Sequence, residues 1–480
     1  MAEARRLDWR TFRVAAIGFL AFKLVLLVLA RPFMDETYYW LWGQHPALSY
    51  FDHPPLIGWT QGLAGVFGWN IAGLRAMVLA TLIGDLLVLR GFAAHLGGPA
   101  WRGIFWPSAA LLGATPIFFA LTNLALPDHL LIFFTLVTVY GATRFRASHA
   151  AGAPRWRFLY LAALGIGLAT LSKYTGALLA AGMLVAVIAT PDLRRLWRGP
   201  HLYLAMLLVA ALQAPVLAWN LQNGMASFDF ILGGRRPLGA FSLSGLTGYL
   251  LGILLVLSPA LIWPLGRFLL ARGDGHGFVR SVFWLSTLSF LVASLFTNIL
   301  VHWNVVAYAA VLPFLAPYLR GRLVAFGHFA FGGLVAAILA VNFCIFPVQG
   351  LVSFVDQTSG WSYGWDEVGA RAARLAAAEG AGFIAATDYA LAAPLAFALR
   401  DPAVTSLSPR HDAFDDWFDA AAHAGETAIL VADRWRRLPA SVRAQFAEVV
   451  EAERFQLRRF DRLVDSYTLY VARGYSPAGP

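Results

Sequence analysis

Charged residues are scarce in this chain. Only 13% of its 480 residues are Asp, Glu, Lys or Arg, whereas soluble globular proteins carry about 25%. Hydrophobic residues make up 59% of the sequence, and the mean hydropathy is +0.63. A water-soluble fold of this length has too little interior to bury so much apolar surface. The sequence therefore excludes an ordinary soluble protein and predicts that lipid surrounds most of the chain.

Cysteine, lysine and nucleotide-binding motifs are also rare or missing. Cys344 is the single cysteine, so no disulfide can form within the chain, and cysteine usage does not indicate a compartment. The net charge is +10, but the basic residues fall in short clusters between apolar runs. This pattern sets membrane orientation and is not typical of a nucleic-acid-binding groove. The sequence holds no P-loop, Gly-x-Gly-x-x-Gly, His-Glu-x-x-His or paired Cys-x-x-Cys motif, so a cytoplasmic nucleotide-dependent reaction has no support.

Apolar runs of membrane-spanning length follow one another over residues 12–345. A transmembrane helix needs about 20 apolar residues, and we predict eleven spans: 12–31, 71–90, 103–122, 124–142, 158–172, 174–190, 202–220, 246–270, 280–300, 303–319 and 323–345. The first run lacks a small-residue cleavage site and is expected to be a retained helix rather than a signal peptide. Lys23 and Asp85 fall inside the first two spans, and we interpret them as a structural pair on their depth alone.

The loops between these runs alternate in charge. The loops on one side hold 18 basic residues, and those on the other side hold 5. The positive-inside rule places the first set and the N-terminus in the cytoplasm. An odd number of spans then places the C-terminal region outside. We expect residues 1–348 to form the membrane domain and residues 349–480 a soluble α/β domain, with a helix over 366–379 and strands at 383–386, 428–432 and 467–471.

The first outer loop, residues 32–70, combines acids and histidines with many aromatic residues. Its ionisable residues are Asp35, Glu36, His45, Asp52 and His53. Aromatic rings are typical of the head-group layer, so Tyr38, Trp40 and their neighbours are interpreted as a belt that anchors the loop. An aromatic belt does not explain the carboxylates of the loop, because a carboxylate near apolar surface is costly unless it is paired with a cation or has a function.

Further ionisable residues lie at the outer ends of later spans: Asp128, Lys173, the pair Arg235 and Arg236, and His302. Each has a structural interpretation, namely a helix N-cap for Asp128, snorkelling for Lys173, a solvated turn for the arginines and packing for His302. Together they place acids and phosphate-binding cations on one face of the membrane. That arrangement suits transfer of a group carried on a lipid phosphate, with cations holding the leaving phosphate and a carboxylate acting as general base.

At residues 34–59 the sequence resembles a known family. The segment MDETYYWLWGQHPALSYFDHPPLIGW is similar to the first outer loop of bacterial glycosyltransferase family 39 and its relatives, which include protein O-mannosyltransferases and the aminoarabinose transferases of lipid A. The resemblance continues through LALPDHLLIFF, LSKYTG, APVLAWNLQNGMASFDFILGGR, HWNVVAYAAVLPFLA and GWDEVGARAARL, and so covers nearly the whole chain. It is closest to the subgroup that includes the galacturonosyl transferases of lipopolysaccharide.

The resemblance implies a GT-C fold with about eleven transmembrane helices and a C-terminal periplasmic α/β domain, in the bacterial inner membrane. It implies an inverting glycosyltransferase with a polyprenyl-phosphate sugar donor and no nucleic-acid partner. The implied roles are catalysis by Asp35 and Glu36, donor-phosphate binding by Lys173 with Arg235 or Arg236, and shaping of the substrate site by Asp52, His53, Asp128 and His302. His53 replaces a lysine of the aminoarabinose transferases, so a permanently cationic contact is not implied there.

The sugar and the acceptor stay open at this stage. Lipopolysaccharide or another glycan or lipid of the cell envelope is the expected acceptor, and a protein hydroxyl is the alternative. Asp52, His53 and Asp128 could also bind a divalent metal ion, although their spacing matches no known ligand motif. A transporter or flippase of lipid-linked sugars is a different class, which would place its charges at the bilayer midplane between repeated halves. A membrane-anchored binding protein would leave the acid-rich first loop without a role.

Overall fold

The structure, a computed structural model, describes residues 8–234, 239–273, 275–319, 321–348 and 361–477. The chain forms two compact units. Unit 1 comprises Met1–Leu27, Leu48–Leu56 and Val78–Ala337, and unit 2 comprises Val28–Ala47, Ile57–Met77 and Ile338–Pro480. The domain boundary predicted at residue 348 adjoins residues outside the described ranges, and it stays a prediction.

Unit 1 is built from apolar helices, several of which begin with proline. A proline at the first helical position costs no hydrogen bond, because the first turn leaves its N–H groups unpaired anyway. Leu323 and Trp263 are among many large apolar side chains with exposed surfaces, as expected where lipid is the solvent. The chain is a multi-pass membrane protein. The described α-helices that lie in unit 1 or enter it are Trp9–Leu29, Ile71–Gly97, Arg102–Ala114, Pro116–Leu121, Pro127–Ala150, Trp156–Ser172, Ala177–Ala189, Pro191–Arg194, Pro200–Leu212, Ala214–Gln222, Ala226–Asp229, Leu243–Leu257, Pro259–Leu270, Gly277–Ser294, Val305–Val311 and Arg322–Ala340.

Judged by helix length and composition alone, the described residues give fewer membrane spans than the predicted eleven. Five described helices are long and apolar enough to cross a membrane, and three bent pairs raise the number to eight. Each predicted span coincides with helical structure, but the segments at 103–122, 158–172 and 303–319 are short or broken. The count of eleven therefore stays a prediction. The predicted span over 246–270 contains a break, since the chain bends by 97° at Ser258, which precedes Pro259.

Two consecutive helices of unit 1, Pro127–Ala150 and Trp156–Ser172, form an antiparallel hairpin. Glycines allow the backbones to approach closely. A Cβ atom at Gly141 would lie 2.8 Å from the backbone nitrogen of Ala162, and one at Gly165 would collide with the Thr138 hydroxyl. Small residues are typical of such contacts between membrane helices. The hairpin brings the start of its first helix beside the end of its second.

Unit 2 contains a mixed sheet of five strands, namely β1 Phe383–Ala386, β2 Thr405–Ser406, β3 Ala428–Asp433, β4 Phe446–Arg459 and β5 Arg462–Tyr475. Their order in the sheet is β2-β1-β3-β5-β4. Strand β1 is parallel to β2 and β3, β3 is antiparallel to β5, and β4 and β5 form a hairpin. The two residues of the hairpin turn, Phe460 and Asp461, both have positive φ, as a two-residue turn that matches strand twist requires.

The helices of unit 2 come from both ends of the sequence. The predicted helix over 366–379 and the three predicted strands are present, which confirms the α/β character of the C-terminal region. Strand β4 was not predicted, because its apolar and charged residues do not alternate regularly. The helices are Met34–Gln44, Leu56–Ala64 (whose first residue belongs to unit 1), Trp365–Glu379, Tyr389–Leu399, Ala413–Trp417 and Ala440–Arg443.

The aromatic residues of segment 34–44 are buried inside unit 2. Tyr38, Trp40 and Trp42 are each at most 2% exposed. The Tyr38 hydroxyl accepts a hydrogen bond from the backbone N–H of Ala413 at 3.0 Å, and its ring lies 5.0 Å from that of Tyr389. The interpretation of these rings as a head-group belt is therefore wrong. They form a core that joins this short helix to the C-terminal part of unit 2.

Candidate active site

A buried ion pair joins two of the predicted site residues in unit 1. The Lys173 ammonium donates to both carboxylate oxygens of Asp128, at 2.8 Å and 2.9 Å. Asp128 is the second residue of the hairpin's first helix, and Lys173 directly follows the second helix. The interpretations of Asp128 as an N-cap and of Lys173 as a snorkelling side chain are wrong, because both side chains are buried and bind each other.

The loop at 48–56 supplies two further predicted residues to unit 1. Asp52 and His53 are both buried. The neighbouring Phe51 packs against Phe230, with 4.6 Å between ring centroids. This contact attaches the loop to the segment after the Ala214–Gln222 helix. Tyr50 to His53 are thus part of the packed interior of unit 1 and do not lie on an open surface.

The segment after Ala214–Gln222 also approaches the end of the hairpin. The hydroxyls of Tyr174 and Ser227 lie 2.6 Å apart, so the residue next to Lys173 is tied to this segment. The fully buried Asn220 accepts from the N–H of Phe228 at 3.3 Å and holds the turn that contains Met225 at a positive φ. These contacts join the WNLQNGMASFDF motif to the LSKYTG motif.

Histidines flank the ion pair. His302, in the short 3₁₀ turn before helix Val305–Val311, lies within electrostatic range of the Asp128 carboxylate. His129 is fully buried next to it, and its Nδ1 atom lies 2.9 Å from the Thr81 hydroxyl. Asp128, Lys173 and His302, which the sequence predicts at one face of the membrane, thus lie near one another in unit 1. His129 was not predicted to lie at this position.

A second buried ion pair lies in unit 2. The Arg75 guanidinium binds Glu36 in a fork, with Nε to Oε1 at 2.8 Å and Nη2 to Oε2 at 2.7 Å. It also donates to the carbonyl oxygens of Ala30 and Arg31, at 2.8 Å and 3.1 Å. Glu36 accepts a further hydrogen bond from the N–H of Phe33 at 2.9 Å. Arg75 thus joins the start of the Met34–Gln44 helix to the segment before it.

Asp35 and Glu36 therefore differ in their surroundings. Glu36 is fully buried and bound to a guanidinium, whereas Asp35 is half-buried on the same helix. Neighbouring residues on a helix point in directions about 100° apart, so the two carboxylates face different surroundings. The sequence contained a clue to the Glu36 pair, since Arg75 is one of the few basic residues on the predicted outer side.

Two further predictions concern the arginine pair and a metal ion. Arg235 and Arg236 lie outside it. No group of three or more His, Cys, Asp or Glu side chains is placed to hold a metal ion among the described residues. Asp52, His53 and Asp128 therefore do not form a metal-binding cluster there.

The two charges inside predicted spans, Lys23 and Asp85, do not touch each other. Lys23 donates to the carbonyl oxygen of Phe119 at 2.8 Å. The carboxylate oxygens of Asp85 are buried and accept no hydrogen bond from the described residues. The two side chains interact only through space, so the prediction of a direct pair is wrong.

Comparisons with known proteins agree with the resemblance noted in the sequence. Residues 52–219 match the family model described as dolichyl-phosphate-mannose-protein mannosyltransferase, a range that includes Asp128 and Lys173. The lipid A galacturonosyltransferase RgtD of Rhizobium johnstonii is 27% identical over 426 residues, which cover 82% of this chain and 83% of that protein.

Solved structures show the fold. The crystal structure of ArnT from Cupriavidus metallidurans in the apo state aligns with a TM-score of 0.62 at 16% identity, over 97% of this chain and 98% of that one. The structure of the same protein bound to undecaprenyl phosphate aligns with a TM-score of 0.61 at 14% identity, over the same shares of the two chains. The chain therefore has the GT-C fold. The matching family model and the Rhizobium relative are both named as glycosyltransferases, which favours an enzyme over the transporter and binding-protein alternatives.

Proposed function

We propose that this GT-C enzyme transfers a sugar, with inversion, from a polyprenyl-phosphate donor to lipopolysaccharide or a related glycolipid of the cell envelope. The named relative acts on lipid A, and the ArnT fold has been solved with undecaprenyl phosphate. The observation that carries the proposal in this chain is the buried Asp128–Lys173 pair. It places an ammonium within a packed site, where a phosphate could be bound.

In the proposed reaction an oxygen of the acceptor attacks the anomeric carbon, and the bond from that carbon to the phosphate oxygen breaks. The polyprenyl phosphate leaves with an extra negative charge. Lys173 stabilises this charge, together with Arg235 or Arg236. Asp128 holds the Lys173 ammonium in position, because both of its carboxylate oxygens accept from it. Asp52, His53 and His302 shape the sugar-binding part of the site.

Asp35 is the proposed base. It takes the proton when the acceptor group is a hydroxyl, and it only orients the acceptor when that group is an already ionised phosphate. Glu36 has a different proposed role. Its carboxylate is bound by Arg75 and by the N–H of Phe33, so it holds the helix that presents Asp35.

The proposed orientation follows from the charge of the loops. The loops with 18 basic residues lie in the cytoplasm with the N-terminus, and residues 349–480 lie in the periplasm. Lys173 and His302 then lie near the periplasmic face of the inner membrane. Cysteine labelling of a Cys344→Ala background, with single cysteines placed at exposed Arg374 or Arg155, tests this. Labelling of intact cells at Arg374 but not at Arg155 is expected, and the reverse would overturn the orientation.

The first test of the function is a transfer assay with purified protein. Radiolabelled polyprenyl-phosphate sugars are supplied one at a time with a lipopolysaccharide and membrane-protein extract. Transfer by the wild type, with a loss of about 100-fold or more in Asp35→Asn, is expected for a hydroxyl acceptor. The exposed Asp192→Asn is the matched control. No transfer from any donor would overturn the proposal, and transfer that survives in Asp35→Asn would remove Asp35 as base.

A protein acceptor is the second candidate. The matching family model is described as a protein mannosyltransferase, and its range includes Asp128 and Lys173. The same assay distinguishes the two acceptors. Label in a protease-sensitive product would favour the protein, whereas label that extracts with lipopolysaccharide would favour the glycolipid.

A further inference from the structure

Unit 2 contains a cleft to which the proposed reaction gives no role. The unit 2 cleft has a volume of about 500 Å³ and is lined by residues within three segments, 31–37, 69–72 and 362–400. All three segments belong to unit 2. Small-molecule sites typically measure about 300–1,000 Å³, so the cleft is large enough for a sugar unit with its substituents.

The charged lining of the cleft is mainly cationic. Arg31 and Arg400 contribute guanidinium groups, and Asp366 is the one carboxylate among the lining residues. The Arg31 guanidinium lies over the ring of Tyr363 at 4.8 Å, and its buried Nε donates to no described residue. Arg400 is exposed and forms no ion pair with the described residues. A cleft lined by two such groups favours an anionic ligand.

A buried hydroxyl in the cleft lining has no hydrogen-bond partner among the described residues. Ser362 is only 4% exposed, and its Oγ atom makes no hydrogen bond within the described part of the chain. A buried polar group without a partner is costly, and a native structure rarely keeps one without a reason. Because Ser362 is a lining residue, a polar ligand in the cleft is the candidate partner for this hydroxyl.

Part of the cleft lining is aromatic. Trp69 and Phe397 have ring centroids 6.2 Å apart, and the indole N–H of Trp69 donates to the carbonyl oxygen of Phe397 at 3.0 Å. This bond fixes the orientation of the indole ring. A lining that combines aromatic rings with a few polar groups suits a saccharide, which has apolar C–H faces and a polar edge.

The start of the Ile71–Gly97 helix also borders the cleft. Ile71 and Ala72 are lining residues, and Asn70 caps the helix by accepting from the N–H of Gly73 at 3.0 Å. The first N–H groups of a helix carry partial positive charge and favour an anion. This end of the cleft therefore has the same electrostatic preference as the two arginines.

We propose that the unit 2 cleft binds an anionic saccharide, bearing phosphate or carboxylate groups, as the head group of the glycolipid acceptor. This assignment rests on the proposed function. Thr37 lines the cleft, and Asp35 lies two positions earlier on the same helix, so their side chains point to nearly opposite sides. An acceptor held in the cleft must extend around a helix about 10 Å across to reach Asp35. The acceptor is therefore larger than one sugar.

The test measures binding to the full chain in phosphatidylcholine nanodiscs. The probes are a bisphosphorylated glucosamine disaccharide, its dephosphorylated form, inorganic phosphate, and vesicles that contain phosphatidylglycerol. The variants are Ser362→Ala and Arg400→Asn, since asparagine tolerates the positive φ of 56° at residue 400. The matched control is Arg374→Ala, an exposed arginine outside the cleft. We expect the phosphorylated disaccharide to bind tightest and each cleft variant to weaken it about tenfold.

Ser362→Ala separates ligand binding from folding. It removes a hydroxyl that has no described partner, so the apparent unfolding midpoint without ligand is expected to stay the same or rise. Equal binding of the phosphorylated disaccharide by wild type and both cleft variants would overturn the proposal. Equal competition by inorganic phosphate or by phosphatidylglycerol vesicles would also overturn it, in favour of a free anion or a lipid head group.

Turnover distinguishes failure of the cleft from failure of the proposed function. In the transfer assay, the cleft variants are expected to raise the acceptor KM about tenfold with little change in kcat. If the wild type transfers the sugar and the variants keep the same acceptor KM, the proposed role of the cleft is overturned and the proposed function stands. Cleft-dependent binding of the phosphorylated disaccharide without any transfer would support a saccharide site and overturn the function.

Discussion

The Lys173 ammonium lies 2.8 Å from the nearer carboxylate oxygen of Asp128, and both side chains are buried in unit 1. The two residues are distant in sequence and meet because the hairpin returns the chain to the same end. A buried ion pair has a high desolvation cost, which its attraction repays only with good geometry. Its presence at this position is easier to explain by function than by stability.

Lys173→Met leaves the Asp128 carboxylate buried without its partner. We expect a loss of about 3–5 kcal/mol in stability and loss of transfer, measured by thermal unfolding in detergent and by the transfer assay. The double variant Lys173→Met with Asp128→Leu is expected to regain most of the stability and none of the transfer, because the phosphate contact is still missing. Wild-type transfer by the double variant would remove Lys173 from the donor site.

Gly165→Ala is expected to displace the Asp128–Lys173 ion pair, although residue 165 lies elsewhere in the hairpin. A Cβ atom at residue 165 would collide with the Thr138 hydroxyl, so the two helices of the hairpin must separate. We expect a lower unfolding midpoint and a fall in transfer of about tenfold or more, since displacements of about 1 Å are costly in catalysis. Gly266→Ala is the control, because nothing lies within 4 Å of that position. Equal behaviour of the two variants would show that the close approach is not needed.

Glu36→Gln tests the second ion pair. It leaves the Arg75 guanidinium buried with a neutral partner, and we expect a loss of about 3–5 kcal/mol in stability, seen as a lower unfolding midpoint. If Glu36 only holds the helix, the conservative Arg75→Lys should also lower the midpoint, because lysine cannot form the fork. An unchanged midpoint in Glu36→Gln, together with a loss of transfer, would instead assign Glu36 a direct catalytic role.

Asp465 is expected to make the stability of unit 2 depend on pH. Burial and the nearby Asp433 carboxylate raise the pKa of Asp465 to about 6, above its ordinary value of about 3.9. A raised pKa means that the folded state holds the proton more tightly, so stability is highest at low pH and falls as pH rises through about 6. The two-unit difference corresponds to about 3 kcal/mol.

The variant Asp465→Asn should remove this dependence. Its unfolding midpoint is expected to exceed that of the wild type at pH 7.5, and the difference should shrink at pH 4.5, where the wild-type carboxyl is protonated in the folded protein. Asp461→Asn, at the exposed turn between β4 and β5, is the matched control. A wild-type advantage at pH 7.5 would show that the ion pair with Arg434 outweighs the cost of burial.

Sequence reasoning identified most of the molecule where a pattern is local. The strand at 383–386 and the helix near 366–379 were found with their bounds nearly right, because a short apolar run and an amphipathic period are properties of neighbouring residues. The aromatic core around Tyr38 was misread as a membrane belt. Burial of that helix depends on Tyr389 and Phe414, which are hundreds of residues away in the sequence.

The sequence by itself determined that this is a membrane protein with its apolar runs in these places, and that acids and one lysine follow particular runs. Composition and periodicity carry that information, since lipid selects apolar residues along each span. Only the tertiary structure decided which charges meet. Lys173 binds Asp128, Glu36 binds Arg75 and Lys23 does not touch Asp85, because pairing depends on how closely the helices pack and which faces they turn to one another.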